Sequence, residues 1–255
     1  MDFLTRVRCW GSVDVKAFLL AAGHGTRLRP VTDTIPKCLV PIRGTSMLEI
    51  WLEVCRRAGI DEVLVNLHAH ADLVRNALNH MTPGVEVHLS EEPVLLGSAG
   101  TLLANRDWVS RESNFWILYG DVLTAANLTQ MLEFHSSRQP VGTIGLYQVR
   151  DARRCGVVTF DADFVVREFV EKPKHPKSNW AFSGLMIATP EMLQSIPSRL
   201  PADLGFDVLP QLVGRILAYP ISDFLTDIGT MENFRAAQDA WPGLPPYQGS
   251  VSGLE

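Results

Sequence analysis

A glycine-rich segment near the start of the chain, residues 20–30, carries the residue types best suited to chemistry. Gly23 and Gly25 flank a single residue, so the backbone can turn tightly there and present its N–H groups to an anion. Arg27 and Arg29 add positive charge within the same segment, and Lys37 follows shortly after it. Glycine N–H donors combined with these cations predict a cradle for a triphosphate.

The glycine pair taken alone is weak evidence for any one ligand. It is not a complete dinucleotide-binding fingerprint, because Leu28 occupies the position of the third glycine, and no Gly-Lys-Ser/Thr follows as a Walker A loop requires. An ordinary glycine turn with solvated arginines explains the pair equally well. The addition of Arg27 and Lys37, with two prolines between them, favours the binding loop.

Two further segments place small or acidic residues at the end of a predicted element. In residues 115–121 an apolar strand ends in Gly120 and Asp121, and a carboxylate at such a strand tip can hold a metal ion beside a nucleotide phosphate. A turn aspartate is the alternative for this residue in isolation. Residues 97–100, Gly-Ser-Ala-Gly, lie between a strand and a helix, where small side chains let a flat base approach the backbone. A simple loop and helix cap is the alternative there.

Residues 19–42, LLAAGHGTRLRPVTDTIPKCLVPI, resemble the signature of the sugar-1-phosphate nucleotidyltransferases. The matching residues are Gly23, Gly25, Thr26, Arg27, Leu28, Pro30, Pro36, Lys37 and Pro41. The resemblance covers roughly residues 15–240 and implies an α/β nucleotide-diphospho-sugar transferase (Rossmann-like) fold with a mixed central sheet flanked by helices. It also implies that Arg27 and Lys37 bind the triphosphate and the phosphoryl group that is transferred.

The resemblance extends to the predicted base and metal sites. Residues 97–100, preceded by an acidic run ending in proline at 91–93, resemble a Leu-Gly-Thr-Ala-Gly segment most typical of mannose-1-phosphate guanylyltransferase-like members. Asp227 matches the family's Asp-Ile-Gly segment, which implies that it forms a metal site with Asp121. Mg²⁺ (or Mn²⁺) is the implied ion, held by a few carboxylates and the substrate phosphates.

The resemblance also implies a sugar-phosphate site in the second half of the chain. Residues 169–173 resemble the family's Val-Glu-Lys-Pro segment, which implies that Glu171 binds sugar hydroxyls and Lys172 binds the sugar phosphate. A charged hairpin edge is the alternative for this pair. Ser183 and Gly184 stand where the family has an Asn-Ala-Gly segment, which implies contacts with the sugar.

The predicted site residues fall into four groups. Those for the nucleotide are Ala21, Ala22, Gly23, Gly25, Thr26, Arg27, Lys37, Gly97, Ser98, Ala99, Gly100 and Gly120. Those for the sugar phosphate are Glu171, Lys172, Ser183 and Gly184, those for the metal are Asp121 and Asp227, and the catalytic residues are Arg27, Lys37 and Asp121.

The activity that the resemblance implies is nucleotidyl transfer. An NTP, with GTP favoured, and a sugar 1-phosphate of the mannose or heptose type would give an NDP-sugar and pyrophosphate. One alternative is a uridylyl-, thymidylyl- or cytidylyltransferase acting on another sugar phosphate, and a second is a non-catalytic regulatory protein that binds an NDP-sugar. The charged residues predicted to hold phosphate and metal are all present, which favours a catalyst.

Hydrophobic patterning predicts the elements that must position these residues. Short apolar runs predict strands at 15–21, 62–66, 85–89 and 115–119. Helical spacing predicts a helix over 46–58, with Ser46 as N-cap and Gly59 as its stop, another over 71–80, and a short one after Gly100. This alternation predicts a mainly parallel sheet with helices on both faces.

Beyond residue 140 the pattern predicts a more antiparallel arrangement. Strand-like runs occupy 141–149, 156–160, 165–170 and 182–188, and helices are predicted at 206–213 and 231–240. We therefore expect an N-terminal extension over 1–14, one domain over 15–240 and a flexible tail over 241–255. Within the domain, 15–140 is the predicted nucleotide-binding half and 141–240 the sugar-phosphate-binding half.

Composition and charge exclude other classes of function. Of the 255 residues, 46% are hydrophobic and 20% charged, which is ordinary for a globular protein and excludes a disordered chain. The net charge of −5 argues against a nucleic-acid binder with a basic face. The four cysteines form no CxxC pair, and no apolar run is long enough to cross a membrane. We expect a cytoplasmic protein without nucleic-acid or membrane partners, and the resemblance is compatible with a homodimer.

Overall fold

The computed structural model describes residues 15–23 and 25–245. Some sequence-based predictions therefore lie outside the described residues. They are the N-terminal extension over 1–14 and the part of the predicted tail from 246 onward. His24, between the two glycines of the glycine-rich loop, also lies outside them.

Helices and strands alternate through the first half of the chain and strands dominate the second. The helices are α1 (Met47–Arg57), α2 (Ala71–Asn79), α3 (Ser98–Ala104), α4 (Arg106–Val109), α5 (Leu128–Arg138) and α6 (Met231–Ala240). The strands are β1 (Lys16–Leu20), β2 (Pro41–Ile42), β3 (Thr45–Ser46), β4 (Glu62–Leu67), β5 (Glu86–Glu91), β6 (Phe115–Tyr119), β7 (Val122–Thr124), β8 (Gly142–Gln148), β9 (Gly156–Phe160), β10 (Val166–Glu171), β11 (Trp180–Ala188), β12 (Ile216–Pro220) and β13 (Leu225–Asp227).

A nine-stranded mixed sheet organises the described part of the chain. Its order is β10-β9-β11-β6-β1-β4-β5, and β8 pairs with both β11 and β12. The strands β6, β1, β4 and β5 are parallel, whereas β11 runs antiparallel to β6. The predicted α/β class with a mixed central sheet flanked by helices is confirmed.

Both faces of the central strands are buried, because alternate side chains enter different cores. In β1, Leu19 packs into one hydrophobic core and Phe18 into the other. The neighbouring β6 repeats the arrangement, with Trp116 in the first core and Ile117 in the second. Burial on both faces explains why these strands are continuous apolar runs in the sequence.

Helix α1 forms where the sequence predicts it and fixes the end of the glycine-rich region. The Ser46 side chain accepts a hydrogen bond from the Glu49 N–H, and the Glu49 carboxylate accepts one from the Ser46 N–H. The first residue of the helix, Met47, is fully buried and donates its N–H to the Val40 carbonyl at 3.1 Å. The short 3₁₀ turn Lys37–Leu39 is thereby held against the core.

The prediction of a helix over residues 206–213 is wrong. The structure has a π-helical turn over Leu204–Val208 and then a 3₁₀ turn over Leu209–Leu212. Pro210 lacks the N–H that a continuous α-helix needs at that position. Patterning also failed to predict α5 and the strands β7, β12 and β13.

A short two-stranded ribbon joins distant parts of the chain. Strand β7 pairs antiparallel with β13, so that Val122 lies opposite Asp227. The Ile228 N–H donates to the Asp121 carbonyl at 3.0 Å and extends this pairing. The ribbon therefore brings the two predicted metal ligands to the same edge of the sheet.

Packing continues past residue 240 into the start of the predicted tail. Trp241 is buried, and its ring meets that of Phe224 edge-on with centroids 5.4 Å apart. Arg57 donates a hydrogen bond to the Pro245 carbonyl. Among the helices of the described ranges, none is both long enough and apolar enough to cross a membrane.

Candidate active site

Two clefts open at the carboxyl ends of the parallel strands, which is where ligands bind in open α/β sheets. The first cleft has a volume of about 390 Å³, and the second has a volume of about 210 Å³. Tyr119 and Asp121 line both clefts. Because Tyr119 is the last residue of the central strand β6, the clefts share a wall near the middle of the sheet.

The first cleft brings together segments that are far apart in the sequence. The predicted nucleotide residues that line it are Ala21, Ala22, Gly23, Gly25, Thr26, Arg27, Lys37, Gly97, Ser98 and Gly120. Ala99 and Gly100 line neither cleft. Both are buried, and their N–H groups donate to the Ala202 carbonyl at 3.0 and 3.1 Å. These two residues therefore support the 97–100 segment through their contact with Ala202 and do not face the cleft.

Two hydrogen bonds to the Gly25 carbonyl and close packing against Thr32 fix the conformation of the glycine-rich loop. Gly25 has a φ of +63°, and a Cβ on it would lie 2.9 Å from Cγ2 of Thr32, so only glycine fits. Thr32 Oγ1 donates to the Gly25 carbonyl at 2.7 Å, and the Leu28 N–H donates to the same oxygen at 2.9 Å. Leu28 is fully buried, whereas Arg27 beside it is exposed and lines the first cleft.

A buried polar network fixes the start of this loop. Asn66 Oδ1 accepts hydrogen bonds from the N–H groups of Ala21 and Ala22 at 2.7 and 3.3 Å. Asn66 Nδ2 donates to Glu92 Oε1 at 2.9 Å, and Glu92 Oε2 accepts from the Leu96 N–H at 3.0 Å. Both network side chains are nearly inaccessible, and both line the first cleft. The network joins the glycine-rich loop to the segment that leads into α3.

Charged side chains of both signs meet at the wall between the clefts. Lys37 Nζ lies 2.6 Å from Asp121 Oδ2. Asp227 accepts a hydrogen bond from the Gly229 N–H. A Cβ on Gly229 would lie 3.1 Å from Lys37 Nζ and 3.2 Å from Arg27 Nη2, so both cations approach the backbone closely at a residue without a side chain.

The electrostatics of this cluster fit a divalent cation. The pKa of Asp227 is raised above its ordinary value, first by burial and then by the negative charge of Asp121, while Lys37 and Arg27 oppose the shift. Two carboxylates that repel each other in a half-buried site suit Mg²⁺, which prefers oxygen ligands. Within the described ranges no group of three or more His, Cys, Asp and Glu side chains could hold a metal. Phosphate oxygens and water would have to complete the coordination.

The predicted sugar-phosphate residues all line the second cleft: Glu171, Lys172, Ser183 and Gly184. Gly184 has a φ of +81°, and a Cβ on it would lie 2.9 Å from the Cβ of Tyr119, so glycine allows the shared wall to pack closely. Ser183 is 2% exposed, and its Oγ accepts from the Leu185 N–H at 3.2 Å.

Glu171 and Lys172 give the second cleft both a carboxylate and a cation. Lys172 Nζ lies 3.4 Å from Glu171 Oε1 and 5.2 Å from the centre of the exposed Phe206 ring. Burial raises the pKa of Glu171, and the positive charge of Lys172 opposes that shift. This combination can accept hydrogen bonds from hydroxyls while attracting a phosphate.

Several residues that line the clefts were missed by the sequence analysis: Asn66, Tyr119, Tyr147, Arg154 and Asp203. Tyr119 directly precedes the Gly120–Asp121 pair, which was the available signal for it. Burial, and then the negative charge of Asp203, raises the pKa of Tyr119, so its hydroxyl stays protonated. Arg154 and Asp203 lie in irregular segments without a recognisable pattern.

The chain is similar to known proteins along most of its length. The family model described as nucleotidyl transferase matches residues 16–242, and the chain belongs to that family. The mannose-1-phosphate guanylyltransferase catalytic subunit beta of Xenopus tropicalis is 31% identical over 226 residues, which cover 86% of this chain and 62% of the relative. Mannose-1-phosphate guanylyltransferase 1 of Arabidopsis thaliana is 31% identical over 227 residues, with coverages of 86% and 63%. The chain thus spans somewhat less than two thirds of these curated relatives.

Solved structures show the same fold. HddC from Yersinia pseudotuberculosis superposes with a TM-score of 0.75 at 27% identity, covering 89% of this chain and 99% of that one. The same protein complexed with GMP-PN gives a TM-score of 0.74 at 26% identity, with coverages of 89% and 99%. A UDP-glucose pyrophosphorylase complexed with UDP-glucose shares the fold, with a TM-score of 0.77 at 20% identity and coverages of 90% and 98%.

Proposed function

We propose that this chain is a sugar-1-phosphate nucleotidyltransferase, which joins an NTP to a sugar 1-phosphate and forms an NDP-sugar and pyrophosphate. The observation that carries the proposal is the shared wall at Asp121. The first cleft, with Arg27 and Lys37, meets the second cleft, with Lys172, at that residue. Family membership supports the same class of reaction.

The proposed reaction needs little activation of the nucleophile. A phosphate monoester has a second pKa of about 6, so an oxygen of the sugar phosphate is already anionic near pH 7. This oxygen attacks the α-phosphorus, and the bond from that phosphorus to the bridging oxygen of the β-phosphate breaks as pyrophosphate leaves. The main obstacle is repulsion between two polyanions. Arg27 and Lys37 would neutralise the triphosphate while Lys172 holds the sugar phosphate.

Asp121 and Asp227 are the residues that would hold the divalent cation. When bound, Mg²⁺ or Mn²⁺ would neutralise charge that develops on the phosphates. Lys37 pairs with Asp121 and also lines the first cleft, so it restrains this carboxylate while offering positive charge to a phosphate. Removing Asp121 would therefore disturb both metal binding and the position of Lys37.

We further propose GTP as the nucleotide and a sugar 1-phosphate of the mannose or heptose type as its partner. The relatives named mannose-1-phosphate guanylyltransferases, at 31% identity, support guanine and mannose. The HddC structure complexed with GMP-PN, at 26% identity, supports guanine. Another base or another sugar phosphate is the alternative within the same reaction class.

A panel of substrates tests these proposals. Each of the four NTPs is combined with mannose, glucose and heptose 1-phosphates, with Mg²⁺ or with EDTA. Each reaction is stopped by removing the protein, excess Mg²⁺ is added to every sample, and phosphate is measured after pyrophosphatase treatment. We expect the fastest release with GTP and a mannose or heptose 1-phosphate, and loss of release in EDTA. A faster reaction with another NTP would contradict the proposed base.

A pair of matched variants tests the site itself. Asp121→Asn should lower turnover by about 100-fold or more, which corresponds to the ~3–4 kcal/mol of a lost preorganised charge contact. Asp161→Asn is the control, because Asp161 likewise pairs with a basic side chain, Arg167, but lines neither cleft. A folded wild-type protein that binds an NDP-sugar but releases no pyrophosphate with any pair would favour the non-catalytic alternative. Light scattering on the same sample tests whether the protein forms a homodimer.

A further inference from the structure

Two loops from different cleft walls are joined directly by their backbones. We call residues 96–100 the nucleotide loop and residues 202–206 the sugar loop. The Ala202 N–H donates to the Leu96 carbonyl at 2.9 Å, and the Ala202 carbonyl accepts from Ala99 and Gly100. A Cβ on Gly97 would collide with the Ala202 carbonyl oxygen. The nucleotide loop and the sugar loop are therefore in contact along their backbones.

Asp203 adds a side-chain link between the same two loops. Ser98 Oγ, on the nucleotide loop, donates to Asp203 Oδ2 at 2.9 Å and accepts from the Leu204 N–H at 2.8 Å. The other oxygen, Asp203 Oδ1, accepts from the N–H groups of Gly205 and Phe206 at 2.8 and 3.1 Å. One oxygen of this carboxylate thus holds the nucleotide loop and the other starts the turn of the sugar loop.

The turn that Asp203 starts packs closely against the carboxylate of Glu171 at Gly205. A Cβ on Gly205 would lie 2.5 Å from Glu171 Oε2. From the other side, a Cβ on Gly156 would lie 2.7 Å from the same oxygen. The Glu171 side chain is only 15% exposed. Its carboxylate therefore lies between two glycines, and its position depends on where the sugar loop places Gly205.

We propose that Asp203 is a positioning residue that sets Glu171 relative to the nucleotide loop, so that recognition of a sugar hydroxyl depends on the Ser98–Asp203 pair. The inference rests on the proposed function, in which Glu171 binds the sugar. Asp203 lines the second cleft, but donors on both loops engage its two carboxylate oxygens, and we assign its role to those contacts. A sugar 1-phosphate would then be selected only when the nucleotide loop is correctly placed.

Asp203→Asn tests this role with a small change. Asparagine keeps the shape of the side chain and the Oδ1 acceptor but replaces Oδ2 with an amide NH₂ group, which cannot accept the hydrogen bond from the Ser98 hydroxyl. We expect KM for the sugar 1-phosphate to rise about tenfold, the effect of losing one hydrogen bond to a charged group, with KM for the NTP within threefold of wild type. Ser98→Ala should raise KM for the sugar 1-phosphate in the same way, and because Ser98 lines the first cleft its KM for the NTP is not used as a criterion. Ser98→Thr, which keeps the hydroxyl, should leave sugar binding close to wild type.

A double-mutant cycle separates positioning from a general structural role. A panel of singly deoxygenated sugar 1-phosphates first identifies the hydroxyl whose removal no longer matters in Glu171→Gln. We expect Asp203→Asn to reduce discrimination at that same hydroxyl, and Asp203→Asn combined with Glu171→Gln to be no worse than Glu171→Gln alone. Gly205→Ala would place a Cβ 2.5 Å from Glu171 Oε2 and 3.3 Å from Asp203 Oδ1, so it pushes chiefly on Glu171 and should reproduce the same defect.

Control variants separate a failure of the proposed function from a failure of the positioning role of Asp203. Asp161→Asn changes an aspartate that likewise accepts backbone N–H groups, from Asp163 and Val165, at a turn outside both clefts. Each variant is first shown to be folded by circular dichroism. A wild-type protein without turnover would refute the proposed function and this inference with it. An active wild type whose Asp203→Asn variant keeps a normal sugar KM, or fully additive effects in the cycle, would overturn this inference alone.

Discussion

Replacing Lys37 by methionine tests the charge cluster between the clefts. Methionine keeps an apolar side chain of similar length but removes the ammonium group that lies 2.6 Å from Asp121 Oδ2. Asp121 and Asp227 are then left with less positive charge beside them. We expect a folded protein that has lost most of its turnover and whose stability depends more strongly on a divalent cation.

The exposure of the pair sets the size of the stability effect. The Lys37 side chain is 11% exposed and that of Asp121 is 32% exposed. Exposed ion pairs contribute about 0.2–1 kcal/mol, and breaking a buried pair costs about 3–5 kcal/mol. For this intermediate pair we expect the free energy of unfolding without metal to fall by about 1–2 kcal/mol, or Tm by roughly 2–8 °C at this chain length. Loss of transition-state stabilisation should be larger, about 3–4 kcal/mol, so kcat should fall about 100-fold or more.

The assay combines thermal unfolding with steady-state turnover. Tm is measured in EDTA and across a Mg²⁺ titration, and kcat is measured from pyrophosphate release at saturating substrates. Lys177→Met is the matched control, because Lys177 Nζ lies 2.7 Å from Glu168 Oε1 on the surface, with the two side chains 71% and 35% exposed. We expect this control to change Tm by at most about 4 °C, less than Lys37→Met does, and to keep wild-type turnover.

Two results would refute the reasoning about Lys37. A Lys37→Met protein with kcat within threefold of wild type would show that the ammonium group has no catalytic role. The second result is a loss of Tm in Lys37→Met that equals the loss in Lys177→Met, or a Mg²⁺-induced rise in the Tm of Lys37→Met no larger than that of wild type. Either outcome would show that repulsion between Asp121 and Asp227 is unimportant.

Other contacts lead to further expectations. Lys172→Ala should raise KM for the sugar 1-phosphate about tenfold or more with little change for the NTP, and an unchanged sugar KM would contradict its role. Asn66→Ala should lower the free energy of unfolding by about 1–3 kcal/mol in chemical denaturation, because buried partners such as Glu92 and the Ala21 N–H lose their hydrogen bonds. Burial lowers the pKa of His135 to about 4, so the unfolded chain binds the extra proton between about pH 6.5 and 4 and stability falls as pH falls through that range. His135→Gln should therefore flatten the fall in Tm between about pH 6.5 and 4.5, and an unchanged slope would exclude this histidine as the cause.

Sequence-based prediction succeeds where a short segment contains its own determinants. Helix α1 carries its capping serine, Ser46, and a stop at Gly59, which has a φ of +75°. The strand β6 is predicted with its observed bounds, because burial on both faces demands a continuous apolar run. The glycine-rich loop is similar, since the requirement for glycine at Gly25 arises from the nearby Thr32.

Prediction fails where contacts outside a segment decide its conformation. The residues 206–213 have helical spacing, yet the side chain of Asp203, outside this segment, accepts from the Gly205 and Phe206 N–H groups and starts a π-helical turn instead. Ala99 and Gly100 are predicted to face the nucleotide, but the Ala202 carbonyl, about a hundred residues later in the chain, engages their N–H groups. No local pattern contains this information.

The sequence by itself determined the family, the central strands and the residue types that can bind phosphates. Only the tertiary structure decided that Asp121 and Asp227 share an edge, that Asn66 holds the glycine-rich loop, and that Ser98 reaches Asp203. The physical reason is one of range. Hydrogen bonds and ion pairs of this kind act over about 3 Å, and strand order, which patterning does not specify, determines which distant segments come that close.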